Sequence, residues 1–359
     1  MKNKKSLLAL VAAAAIGMSL LTVLSISSAQ NVQSSGVIET RSHVFTPVAD
    51  GIYFITATGA VNLTSQSMLI EGLHDLLVVD SHVSPNAGLA LLDSIKAVSN
   101  KPVRYLINTH YHFDHAHGNQ VFPRDVEIIG SQYTREKLNG ELGNVLEEST
   151  FISFTQGVPV QIERLRAQLE QSNDVHERAS IQGQIAMHEA HLNSVAQIEP
   201  TPPNITVSDT MTIYQDVVGG GREIQLIHTG RGHTGGDVVV FLPHEKILYA
   251  GDLVGQNLIY MGDAYANEWA DVLERIKALD FDILLSGHGP LVESRERIDA
   301  FQAYLRDLWA KTAELKRSGL SAEDAAQQID MTNHSANYPQ IRAAGADVRA
   351  IRRIYNLIE

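Results

Sequence analysis

No cysteine occurs among the 359 residues. That excludes disulfide bridges, thiolate metal sites and cysteine nucleophiles together. Aromatic residues are scarce, at 6%, and positive charge falls short: 28 Lys+Arg stand against 41 Asp+Glu, a formal net charge of −13. Nucleic-acid affinity rests on basic side chains that displace counterions, so a polyanionic polymer is not an expected partner. Hydrophobic residues, at 44%, suffice for an ordinary packed core and exclude global disorder. The length fits one large domain or two smaller ones. With thiolates gone, the 15 histidines and the carboxylates are the available metal-ligand material.

One long apolar run stands apart from the rest. Lys2, Lys4 and Lys5 precede an almost continuous hydrophobic stretch at 7–24, and Ser27, Ser28 and Ala29 supply small residues before Gln30. This is the order of a secretory signal, with cleavage expected after Ala29. An uncleaved anchor is the alternative, since the run sits at the short end for a spanning helix. Either reading sends the chain to the periplasm or outside the cell, without stable membrane insertion once residues 1–29 are removed.

Beyond a polar stretch at 30–42, short apolar or alternating runs at 51–56, 67–71 and 76–80 are separated by Gly, Asn and Asp, which predicts strands joined by turns. Residues 86–98 have helical spacing, with Leu89, Leu92 and Ile95 on one face. A strand at 103–108 then runs straight into a histidine cluster. This order predicts α/β layering, with chemistry at the carboxyl end of a strand. From 134 to 199 the composition changes: Ile162, Leu165 and Leu169, then Ile181, Ile185 and His188, are spaced for helices amid Gln, Glu and Arg. A helical insertion is expected there, ending at Pro200, Pro202 and Pro203, with packing as its role and a lid as the alternative. His188 and His191 are three apart, whereas the zincin pattern needs four, so this pair is expected on a solvated helix surface. Strands return at 223–227, 237–241, 246–250 and 282–286, a helix is expected at 269–279, and the chain is mainly helical from Arg295 onward. The expected plan is a linker at 30–43, an α/β domain at 44–300 carrying the insertion, and a helical C-terminal extension at 301–359.

The densest chemistry lies at His110-Tyr-His112-Phe-Asp114-His115. Histidines two apart on an extended loop can point both imidazoles at one ion, and the adjacent Asp-His pair can turn toward a second. The pattern is compact enough that chance seldom produces it. Three isolated candidates follow at strand ends: His233 among glycines, Asp252 after Gly251, and His288 between Gly287 and Gly289. Each alone is weak; together they supply the missing ligands of a pair of sites.

In this ordered series the chain resembles the metallo-β-lactamase superfamily of binuclear metal hydrolases, over about 44–291. Asp80 stands where that superfamily has an aspartate supporting the metal loop. The resemblance implies an αββα sandwich with the metals along one edge. It further implies that His110, His112 and His233 hold one zinc ion, that Asp114, His115 and His288 hold a second, and that Asp252 bridges them. Iron or manganese is admitted by the same ligand chemistry. Two cations flanking a water lower its pKa toward neutrality, and Asp114 would orient that water as a catalytic group.

The segment 260–264, followed by Trp269, is similar to subclass B1 β-lactamases, but those carry a cysteine where this chain has Asp252 and a lysine where it has Gly255. Tyr260 stands in place of their assisting asparagine and is a candidate catalytic donor to a carbonyl or oxyanion; Asn257 is a weaker one. His82 and His117 are expected beside the metal shell, and Arg231 and Lys246 on solvated surface. The expected activity is zinc-dependent hydrolysis of a small amide or ester, lactams and lactones first. Thioester, phosphoester or sulfate-ester hydrolysis by the same site is the alternative, as is a noncatalytic metal-binding accessory role.

Overall fold

The apolar runs that lack a polar face become strands covered on both sides. A computed structural model describes residues 36–290 and 295–358, with the side chains of residues 149 and 150 excepted. The expected signal at 1–29 lies outside the described residues. Among those described, one sheet follows chain order: β1 (Ile38–Glu39), β2 (His43–Ala49), β3 (Ile52–Ala57), β4 (Ser67–Glu71), β5 (Leu76–Val79), β6 (Val103–Ile107), β7 (Glu127–Ser131) and β8 (Ile205–Val207). Neighbours are antiparallel as far as β5 and parallel from β5 to β8. The second sheet has the order β13-β12-β11-β10-β9, comprising β9 (Thr210–Val217), β10 (Gly220–His228), β11 (Val238–Leu242), β12 (Ile247–Tyr249) and β13 (Ile283–Leu285).

Strand alternation divides the buried residues into three layers. In β4 and β5, Met68, Ile70, Leu77 and Val79 meet Leu226, Val238, Val240 and Leu242 of the other sheet in one apolar cluster. The intervening Leu69, Leu76 and Val78 face the opposite way and pack with Leu91 and Ile95 of α1 (Pro85–Ile95). Both faces being covered, these strands read as continuous apolar runs. α1 starts where the sequence dictates: the Ser84 hydroxyl accepts from the Ala87 amide, and Pro85 occupies the first turn.

The remaining helices are α2 (Phe113–Ala116), α3 (Gln132–Leu138), α4 (Ser149–Gln171), α5 (Val175–Val195), α6 (Ala266–Lys277), α7 (Glu296–Arg317), α8 (Ala322–Gln328) and α9 (Val348–Leu357). The outer face of the second sheet, through Val239, Phe241 and Leu248, shares one cluster with α6 to α9, including Trp269, Phe301, Leu305, Ala326 and Ile351. The layers are therefore helix, sheet, sheet, helix. Among the described residues, no helix is long and apolar enough to cross a membrane.

α4 begins at Ser149 and runs through Pro159, within the helical stretch expected at 134–199. One expectation needs correction. His191 is not solvated: it is buried, its ring 5.4 Å from that of Phe154 across the α4–α5 hairpin, while His188 is half-buried. β7 had no counterpart in the sequence reading.

Candidate metal centre

The ends of β5 and β6 present the first loops. Asp80 and His82 follow β5 with φ of 62° and 69°, left-handed backbone that Asp tolerates better than most residues and that concentrates at functional sites. The fully buried Asp80 carboxylate accepts from the Thr109 amide at 2.9 Å, from the Thr109 hydroxyl at 2.9 Å and from His115 Nδ1 at 2.8 Å. It thereby joins the β5 loop to the histidine motif. Burial pushes its carboxyl pKa up, opposed by His115 and by Thr109. The two loops meet so closely that a Cβ at Gly118 would fall on the Ser81 carbonyl oxygen.

The second sheet brings the other half. His233 lies between β10 and β11, Asp252 in the turn after β12, and His288 after β13. Gly251, with φ of 52°, sits against Thr109 and lets that turn approach the first loop.

All seven expected metal residues converge. His112 Nδ1 is 3.1 Å from His110 Nε2 and 2.9 Å from His233 Nε2. On the other side, His288 Nε2 is 3.2 Å from both Asp114 Oδ2 and Asp252 Oδ2, and His115 Nε2 is 3.4 Å from Asp252 Oδ1. Asp252 Oδ2 is also 3.5 Å from His233 Nε2. The potential ligand atoms fall into three sets, each within 4.8 Å: His110, His112 and His233; His110, His115 and Asp252; Asp114, His115 and His288.

This donor set fits divalent cations. His115 Nε2 and Asp252 Oδ1 are buried without a hydrogen-bond partner, a rare condition for polar atoms. Burial, then the neighbouring imidazoles, lowers the pKa of His110 well below its usual value, and burial lowers His233 to about 3, so both keep free lone pairs. Burial also opposes charge on the other side. There, however, Asp252 and Asp114 push His288 up to about 10, while His288 and His115 hold Asp252 well below the usual carboxylate range. That half of the cluster calls for positive charge.

The outer contacts fix the rings. With His115 Nδ1 on Asp80, its Nε2 faces the cluster; Thr109 Oγ1 is 3.0 Å from His110 Nδ1. Asp263 Oδ2 lies 3.2 Å from His112 Nε2. The sequence carries no signal for Asp263 beyond a carboxylate near Tyr260. Trp269 backs His233, the rings 5.5 Å apart, and donates its indole N–H to the Leu253 carbonyl at 3.2 Å.

Residues beside the motif sit as follows. The Tyr260 ring is 5.9 Å from that of His112, and its hydroxyl lies over Gly262, where a Cβ would collide with it. His82 is buried, with Nε2 3.2 Å from His43 Nε2 and Nδ1 3.3 Å from the Ser65 hydroxyl, which donates to the Asp114 carbonyl. His117 is buried against Phe151, outside the cluster. Phe113 packs on Phe151 and Phe154, which sets α4 directly beside Asp114. Arg231 pairs with Glu268 and Lys246 with Asp280; Asn257 is exposed.

The family model described as the metallo-beta-lactamase superfamily matches residues 61–288. The chain belongs to this superfamily. Its members are metal-dependent hydrolases. The match ends at His288, leaving α7 to α9 outside it. The chain is 22% identical, over 311 residues, to a linear primary-alkylsulfatase from Pseudomonas sp. (strain ATCC 19151), a similarity covering 80% of this chain and 54% of that protein. It thus spans about half that relative's length. A metallo-beta-lactamase type 2 from Bacillus sp. (strain 170) is 34% identical over 76 residues, 20% of this chain and 30% of that protein. Among solved structures, a metallo-beta-lactamase from Pontibacter korlensis superposes with a TM-score of 0.50 at 18% identity, covering 74% of this chain and 99% of that one. The αββα layering is the superfamily fold.

Proposed function

We propose that the cluster holds two zinc ions and that the protein hydrolyses a small ester or amide, with lactams and lactones as first substrates. The observation that carries this reading is the position of Asp252, whose carboxylate lies within 3.5 Å of ring nitrogens from both halves of the cluster, as a bridging ligand must. His110, His112 and His233 would hold one cation, and Asp114, His115 and His288 the other. When bound, such a pair supplies Lewis acidity and a water with a pKa near neutrality. The chain's own residues do the rest. The Asp114 carboxylate would orient the attacking water, steadied by the Thr64 hydroxyl 3.4 Å from its Oδ2. Asp80 and Asp263 keep His115 and His112 turned toward the cluster. Periplasmic or extracellular residence is part of the proposal, supported by the order of residues 1–29.

A sulfate ester is the second reading, favoured by the alkylsulfatase similarity, which extends over 80% of this chain while the lactamase similarity spans 76 residues. Elemental analysis of the purified protein is expected to give two metals per chain, with activity lost on chelation. A panel of a chromogenic cephalosporin, an acyl lactone, an alkyl sulfate, a thioester and a nitrophenyl phosphate separates the substrate classes. No metal and no effect of chelator on whichever substrate is turned over would overturn the reading.

A further inference from the structure

A groove of about 520 Å³ lies between residues 258–261 and the 340–349 segment that leads into α9. Its second wall lies beyond the span shared with the superfamily, which ends at 288. Neither this groove nor a larger one of about 750 Å³ beside α1 and α5 is lined by any of the seven cluster residues; the smaller one is set apart by Tyr260, whose ring packs against His112.

The floor of the smaller groove is apolar: Met261, Tyr304 and Met331 are buried beneath half-exposed Leu258 and Ile259. Ala343 and Ala344, exposed on the facing wall, keep it open. Tyr260 lines the groove while its ring adjoins His112, so that side chain stands between the groove and the cluster. Its lip is cationic. The Arg349 guanidinium lies 4.9 Å over the Tyr260 ring, sharing its charge with Asp347, and exposed Arg342 has no ion pair among the described residues. In a chain of net charge −13 this is a local reversal of sign. An apolar floor under a cationic lip is complementary to a small molecule with an anionic head and an unbranched apolar chain.

We propose that this groove is a distal subsite for such an anionic amphiphile. The chain lies over Leu258, Ile259 and Met261, and the head turns toward Arg349 and Tyr260. The subsite rests on the hydrolase reading for its purpose, since it holds the part of a substrate that the cations do not touch.

The test is binding, so it does not depend on turnover. Calorimetry of the purified full chain uses 1-alkanesulfonates of four to eight carbons, which the enzyme has no ester to cleave. Affinity is expected to rise roughly two- to four-fold per methylene. Octyltrimethylammonium, with the same chain and the opposite charge, is expected to bind at least about five-fold more weakly. Ala344→Trp fills the groove and should weaken octanesulfonate by more than about ten-fold while leaving butanesulfonate unchanged. Ala343→Trp serves the same purpose should Ala344→Trp not fold. Arg349→Gln should weaken every sulfonate by about five-fold. Metal content and melting temperature confirm that each variant is otherwise intact. Indifference to chain length, equal binding of the cationic amphiphile, or wild-type affinity in the tryptophan variant would overturn the subsite. Sulfonate binding of the expected form with no hydrolysis across the substrate panel would remove the hydrolase reading and leave the subsite standing. Hydrolysis with no chain-length dependence would do the reverse.

Discussion

Replacing Asp80 with asparagine changes almost no volume, yet it should uncouple His115 from the second cation. Both residues accept a left-handed backbone, so the φ of 62° adds no strain. What changes is proton bookkeeping. The carboxylate accepts from the Thr109 amide and hydroxyl and from His115 Nδ1, with the Tyr249 hydroxyl at 3.4 Å as a longer donor. An amide has one oxygen acceptor, and with that oxygen kept on Thr109 its NH2 group faces His115 Nδ1. The ring then gains by making Nδ1 the acceptor and carrying its proton on Nε2, the atom turned toward Asp252 and Asp114. An Nε2–H cannot ligate. Loss of such a carboxylate–histidine pair typically weakens metal affinity about 10–100-fold. Any donor left without an acceptor costs a further ~1–3 kcal/mol of stability. Calorimetric zinc titration of the metal-free protein should show one site at wild-type affinity and one weakened by that factor, with hydrolysis falling in parallel. Nitrogen-15 spectra of the imidazoles should report the tautomer of His115. Two unperturbed zinc sites in Asp80→Asn would refute the argument that this hydrogen bond sets the ring.

Other tests follow from burial and close approach. A Cβ at Gly287 would lie 2.4 Å from Asp252 Oδ1 and 2.8 Å from His115 Cε1, so Gly287→Ala should displace both, cut zinc stoichiometry and cost about 1–3 kcal/mol in chemical denaturation. Retention of two zincs would count against it. Trp269→Ala empties a fully buried site between His233 and Phe301 and should destabilise the protein by about 3–5 kcal/mol, read from urea midpoints. Burial lowers the His43 pKa from 6.5 to about 4. Below pH 6.5 the unfolded chain takes up a proton that the folded one refuses, so His43 should contribute about 3 kcal/mol to the loss of stability between there and pH 4, at 1.36 per unit. His43→Gln should reduce the decline by that amount, and an unchanged profile would exclude His43 as a contributor.

The candidate ligand set was legible because its chemistry is local where it is dense: four of seven residues fall between His110 and His115. The other three were legible only as histidine or aspartate beside glycine, and their meaning came from the ordered series. Strands such as Ser67–Glu71 were readable because both faces are covered, which leaves an uninterrupted apolar run. β7 was not, since Gly130 and a polar start dilute a strand stabilised by its neighbours β6 and β8. The burial of His191 and the role of Asp263 depend on partners distant in sequence, Phe154 and His112, which spacing along one helix or loop cannot reveal.

The proposed ligands are shared between the two sheets: His110, His112, Asp114 and His115 follow β6, while His233, Asp252 and His288 follow strands of the other. Neither half holds a complete set, so a cation captured there acts as a clasp across the sandwich. Capture is then coupled to folding: at a free concentration one hundred times its dissociation constant, each ion adds about 2.7 kcal/mol to the stability of the closed form. A chain with its sheets apart has no site to load. Metal occupancy therefore reports that both halves have met, and a hydrolytic centre exists only in molecules that have finished folding.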